Sequence, residues 1–467
     1  MKSPLDLLRN EWKLLARVMR LRPFETETAD GRSRERYRRI MLTSVTGLGV
    51  KAAGGVIGVV SVPLVLEYLG KERYGLWSAI TTLTAWAALM DFGIANGLVN
   101  VISRAHGRDD PEDAARSLSS ALALLVVVAA TFGVVLVLTA GHIPWSSVFA
   151  VRGAVDEATV NLSMTAALGI LLAGLPLSVV PQVYAGYQKT YLANLFALLG
   201  MLTGFAALLL ALRSGASLPV LVVLVGVGAL AGAFLALVYA LRIAMPWLRL
   251  RASLVSTSAL RGLMVRSFPI FLFQLGALTV NESQTLILAH RCGLSAVADY
   301  AVAMRIYILT FALIQVATQS FLPSFREALE RKDDEWARRS FRRFVALRMG
   351  AAVAGAVVMV LLGNRILLVW LRRSDVNFSP ELWAAMAVLL VASVWVGLNA
   401  ELLTILDRLW IQVALVAGNA VCTVALTWWL APWLGVLGVI LAAGAVTVLC
   451  FSWLMPALAR PLLRASS

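Results

Sequence analysis

The chain has 467 residues, 60% of them hydrophobic and only 14% charged, with a formal net charge of +15. Soluble domains carry about 45–50% apolar and about 25% charged residues, so the composition excludes a soluble globular protein. Positive charge on this scale can mark a nucleic-acid partner. Here the basic residues collect on one side of the apolar runs, which excludes nucleic acid.

Apolar stretches recur along nearly the whole length, each long enough for a helix to cross a hydrocarbon core of about 30 Å. They predict an all-α polytopic membrane protein with twelve transmembrane helices. The spans are 43–68, 75–104, 116–140, 158–185, 190–212, 217–241, 266–290, 296–322, 344–363, 382–404, 409–430 and 435–457. Five segments follow: a basic arm (1–42), a first six-helix lobe (43–241), a basic connection (242–265), a second six-helix lobe (266–458) and a tail (459–467). Most of the 41 Lys and Arg residues fall in the arm and in alternate loops, which by the positive-inside rule places both termini in the cytoplasm.

In the arm, Leu8, Trp12, Leu15 and Met19 share one helical face while Arg9, Lys13, Arg17 and Arg20 lie elsewhere. That pattern suits an interfacial helix resting on anionic membrane lipids. The first span carries Lys51 eight residues above its basic end, where it can face a cavity or snorkel to the interface. The hairpin "LGKERYGLW" (69–77) follows: Gly70 relieves the turn, Lys71, Glu72 and Arg73 keep it in water, and Tyr74 and Trp77 mark the interface.

The second span contains "DFGIANG" (91–97) past its midpoint. A bend there turns Asp91, Asn96 and Asn100 towards protein or water. Asp91 either caps the lower half-helix or touches substrate, and the sequence leaves both open. Pro176 and Pro181 kink or divide the fourth span, and Gly228 with Gly232 forms a small-residue face for close helix contact.

In the second lobe, Gln274 and Asn281 share a helix face, as do Gln412 and Asn419. Such amides bond between helices or touch sugar hydroxyls. Glu282 either balances a positive charge or carries a coupling ion. Arg305 lies deep in the eighth span, where a charge costs about 2.5–3.5 kcal/mol and must face a partner or a watery path. Its permanently charged fork suits pyrophosphate oxygens, with pairing to Glu282 or Asp299 as the structural alternative. Glu401 and Asp407 read as solvated residues near a helix end. Cys292, Cys422 and Cys450 have no disulfide or metal spacing, and His106, His142 and His290 are scattered. No Walker, GxSxG or HExxH signature occurs, so neither an enzyme nor a cofactor is expected, and no metal site either.

The two halves repeat each other. "LVLEYLGKERYGLWSAI" (64–80) matches "LILAHRCGLSAVADYAVAM" (286–304), and "YQKTYLANLFALLG" (187–200) matches "LDRLWIQVALVAGN" (406–419). Because each half has an even number of spans, the repeats are parallel, about an axis along the membrane normal.

"LGKERYGLW" with "DFGIANGLVNVIS", then "AGYQKTYLANLFALLG" and "YAVAMRIYIL" (300–309), resemble segments of the Wzx-type polysaccharide flippases of the multidrug/oligosaccharidyl-lipid/polysaccharide exporter superfamily. The resemblance spans about residues 43–458. It implies two lobes in a V-shaped arrangement and transfer of an isoprenoid-pyrophosphate-linked oligosaccharide to the outer leaflet of a bacterial inner membrane. Arg305, with Lys51, would then offset the phosphate charge. A proton or sodium gradient as driving force and a polysaccharide polymerase as partner stay open. An ion-coupled exporter of cationic drugs, or a lipid II flippase, are the alternatives on the same scaffold. A membrane glycosyltransferase would need a large catalytic loop, and none is evident.

Overall fold

A computed structural model describes residues 24, 28–149, 151, 155–315, 334–372, 377–405, 409–454 and 456–457. The predicted interfacial helix around Leu8–Met19 and the loop residue Asp407 lie outside this set. The described residues form helices α1 (Ala29–Ala87), α2 (Ile94–Gly107), α3 (Pro111–Thr139), α4 (Glu157–Gly174), α5 (Val179–Gly186), α6 (Thr190–Arg213) and α7 (Leu218–Tyr239). After a connection come α8 (Thr257–Cys292), α9 (Leu294–Gln315), α10 (Asp334–Leu371), α11 (Pro380–Ile405) and α12 (Leu409–Val446).

Nine helical stretches among the described residues are long and apolar enough to cross a membrane, or ten if the bent α8 is counted as one span. Two of the nine are too long for one crossing. Arg38–Asp91 has 54 residues and Trp410–Leu454 has 45, or about 80 and 68 Å at 1.5 Å per residue. Each contains a glycine with non-helical dihedrals, Gly70 (φ 74°, ψ 170°) and Gly435 (φ 56°, ψ −132°). The chain turns there, so each stretch makes two crossings, and the twelve expected spans are recovered. Large apolar side chains on the exterior, such as Val137, Leu313, Leu449 and Trp433, fit contact with lipid rather than water.

The same turns carry the internal repeat. Gly70 and its counterpart Gly293 both have positive φ (74° and 91°), and so do Gly215 and Gly435 (71° and 56°). A side chain is strained in that region, so glycine recurs at equivalent hairpins.

The breaks anticipated within spans have local causes. The second span stops at a 3₁₀ turn (Ala88–Asp91), and Phe92 and Gly93 take left-handed dihedrals before α2 begins. Pro176 sits in a 3₁₀ turn, Leu175–Ser178, that separates α4 from α5.

The described residues cluster into two compact units. One gathers Met1–Gly58, Met90–Leu138 and Leu168–Ser267; the other gathers Val59–Leu89, Thr139–Ala167 and Phe268–Ser467. The lobe division expected at 242–265 lies next to the Ser267 boundary, while some spans of the expected first lobe contribute to both units.

In the first unit, Ile94, Leu98, Ile102, Leu118, Leu125, Val179 and Tyr184 form a buried core. The helices α6 and α7 meet through glycines: a methyl group on Gly228 would lie 2.4 Å from Gly204 Cα. This is the close contact expected of the small-residue face.

The loop after α5 ties this unit together at the arm side. Lys189 donates to the Ala244 carbonyl at 2.8 Å and Asn194 donates to Thr46 Oγ1 at 3.0 Å. Tyr187 packs on His106 with ring centroids 5.0 Å apart. The root of the arm docks here too. Arg38 sits over the Tyr191 ring, and Arg39 with Arg38 holds buried Glu35.

In the second unit, the repeated hairpins touch. Lys71 Nζ pairs with Asp299 at 2.8 Å, and a methyl group on Gly75 would lie 2.0 Å from the Leu294 carbonyl oxygen. Glu401 requires a correction. It is not a solvated surface residue, because it binds Arg348 through Nη1 at 2.7 and 2.9 Å, and Arg348 is only 1% exposed. The run of arginines at 338–343 looks like a loop in sequence, yet α10 is already helical through it and carries Arg348 inside.

Candidate functional site

The second unit brings several polar groups together at membrane depth. Arg305 lies about 17 Å along α9 from Leu294, near the middle of a hydrocarbon core about 30 Å thick. It is partly buried, and its Nε is fully buried without a hydrogen-bond partner. Tyr74, on α1 and buried, lies within reach of its charge. Elsewhere in the same unit, Tyr300 Oη donates to Gln284 Oε1, and the Glu282 carboxyl lies near the Thr82 side chain.

Of the two carboxylates that could have made Arg305 purely structural, Asp299 pairs with Lys71. An unpartnered charged donor in low dielectric is costly, by about 1–3 kcal/mol or more. An anionic ligand offering phosphate oxygens would satisfy it. The chemistry of this position suits an anionic group.

The remaining candidates are distributed as follows. Gln274 is half-buried on α8, and Asn281 spends its amide on the Ala277 carbonyl of its own helix at 2.7 Å. In the first unit, Lys51 is exposed on α1. Asp91 is buried and accepts from the Gly93 amide at 2.8 Å, just ahead of the start of α2. Asn100 is exposed, and its carbonyl accepts from Arg104 Nε at 3.1 Å. The side chain of Asn96 lies outside the described set.

One polar cluster was missed in the sequence. Arg348 joins α10 to Glu401 on α11 and also donates through Nη2 to Gln315 at the end of α9. Its only signal is an arginine within the first turns of an apolar run, with an acidic residue far away in sequence.

A family model described as "Polysaccharide biosynthesis protein" matches residues 44–329. The chain belongs to this family. A protein of Salmonella typhimurium named as an O-antigen transporter is 24% identical over 405 residues, covering 86% of this chain and 91% of that protein. Among solved structures, an inward-facing MATE transporter of the MOP superfamily superposes with a TM-score of 0.73 at 15% identity, covering 88% of this chain and 95% of that one. The lipid II flippase MurJ, in an inward closed conformation, superposes at 0.66 and 12% identity, covering 90% and 87%. These structural likenesses establish the fold.

Proposed function

We propose that this member of the polysaccharide biosynthesis family flips a lipid-linked oligosaccharide across a membrane, without making or breaking a bond. The observation that carries the reading is Arg305, a permanent cation at membrane depth whose Nε has no protein partner. A diphosphate joining sugar to isoprenoid supplies the missing acceptors, while the isoprenoid stays in lipid. The O-antigen relative supports a glycan as the cargo. Lys51, exposed on α1, and the amides Gln274, Asn281, Asn96 and Asn100 are further contacts in this reading. Asp91 and Glu282 are the residues for charge balance or a coupling ion, proton or sodium.

The basic arm side faces the cytoplasm of a bacterial inner membrane, which the excess of Lys and Arg there supports. A polysaccharide polymerase on the other side is the partner that would consume the flipped product.

A cation exporter on the same scaffold needs a carboxylate open to its substrate. Asp91 is buried and accepts from the Gly93 amide, which favours the anionic cargo.

The test is transport by the purified protein in proteoliposomes, with a fluorescent polyprenyl-diphosphate oligosaccharide and, separately, organic cations. Movement of the glycan lipid alone supports the reading. Export of cations without movement of the glycan lipid overturns it.

A further inference from the structure

A second basic site lies wholly within the first unit. A cavity of about 350 Å³ opens where three helix ends converge. Arg104 and Arg108 line it from the last turn and C-cap of α2, Asp113, Arg116 and Ser117 from the first turns of α3, and Ser258 and Gly262 from the start of α8. Three guanidinium groups against Asp113 in the lining, with Glu112 paired to Arg116, leave the walls net positive.

The arginines are placed to receive a ligand. Arg104 spends its Nε on the Asn100 carbonyl, which orients the fork. Arg116 holds Glu112 only at 3.3 Å, on the exposed surface, where such pairs contribute little. Ser117 is buried in the lining, and the first turns of α3 and α8 bring the positive ends of two helix dipoles against the negative end of α2. Above the cavity α2 and α8 are pressed together: a methyl group on Gly97 would lie 1.9 Å from Ser267 Oγ. Gly262 lines the cavity, and a methyl group there would meet nothing within 4 Å, so there is room for a larger side chain. The cavity's volume sits at the small end of ligand pockets, about 300–1,000 Å³, which suits a headgroup rather than a whole glycan.

We infer that this cavity is a docking site for the diphosphate headgroup of a prenyl lipid on the arm side of the membrane, occupied before the headgroup reaches Arg305. The inference rests on the flippase reading. Its chemistry, three forked cations around a small cavity, favours a diphosphate over a singly charged phosphate diester.

The test is equilibrium binding of farnesyl diphosphate to the detergent-purified full chain, in an Arg305→Ala background so that the deeper site does not contribute. Inorganic pyrophosphate and phosphatidylglycerol vesicles serve as competitors. Replacing Arg104, Arg108 and Arg116 together by Gln should weaken binding by about tenfold or more. Gly262→Leu, which fills the cavity and keeps every arginine, should weaken it similarly. Asp113→Asn should tighten it about threefold, a gain that misfolding cannot produce. Arg261→Gln, an exposed arginine that does not line the cavity, should change nothing. Pyrophosphate should compete and phosphatidylglycerol should not.

Absence of binding, or affinities within twofold of the parent in both the triple variant and Gly262→Leu, would overturn the site. Equal competition by phosphatidylglycerol would make it a bulk-lipid site and overturn the assignment. Glycan-lipid transport by the wild type with no farnesyl diphosphate binding would remove the docking site and leave the flippase reading standing. Binding with the predicted variant pattern but no transport would do the reverse.

Discussion

Glu35 shows how one side chain reports on the root of the arm. Burial alone would raise its pKa, but donors from Arg38, the Phe24 amide and Arg39 outweigh that and lower it from 4.5 to about 2. A carboxylate held below its unfolded value stabilises the fold fully above about pH 4.5, and the contribution is lost as pH falls towards 2. It amounts to at most about 3 kcal/mol. Melting followed by fluorescence from pH 7 to 3 should therefore show the wild type losing stability faster than Glu35→Gln below pH 4.5. Parallel curves would mean the carboxylate is solvated. Arg305 was legible from sequence because it is a lone charge in a long apolar run. Arg348 was not, because nearby arginines disguised the helix start and its partner Glu401 lies on a different helix.

At the scale of elements, two contrasts separate packing from backbone geometry. Gly70→Ala meets no neighbour, so its cost is that of forcing a side chain into φ 74°, ψ 170°, a region essentially confined to glycine, about 1–3 kcal/mol. Gly75→Ala drives a methyl group against the Leu294 carbonyl and should cost about 1–3 kcal/mol from overpacking alone, as read from detergent melting midpoints. A Gly75→Ala variant as stable as the wild type would remove the claim that the repeated hairpins touch at Gly75. Between α10 and α11, Glu401→Gln leaves Arg348 buried without its counter-charge, a loss of about 3–5 kcal/mol. The double change Arg348→Met with Glu401→Leu should recover most of that stability, whereas a double variant as unstable as the single would assign the pair a different role. Helix boundaries at Gly70, Asp91–Gly93 and Pro176 were legible because each needs a particular backbone chemistry. Contacts such as Lys71–Asp299 were not, since they join residues that only folding brings together.

For the molecule as a whole, hydropathy settled the class, and the glycine turns at 70 and 293 and at 215 and 435 carry the repeat into backbone geometry. The charge pattern, basic residues beside alternate spans and Arg305 deep within one, was legible, and the proposals for direction and cargo rest on it. The arginine cavity escaped the sequence reading because its lining comes from three helix ends, Arg104 to Ser117 on one side and Ser258 to Gly262 on the other. The central claim is that Arg305 receives the diphosphate of a lipid-linked glycan. Its most direct test is flipping of a fluorescent polyprenyl-diphosphate oligosaccharide in proteoliposomes, comparing wild type, Arg305→Lys and Arg305→Ala at matched insertion. The account predicts a loss of at least about tenfold for Arg305→Ala, and partial activity for Arg305→Lys, which keeps the charge without the fork. Wild-type rates in both variants would contradict it.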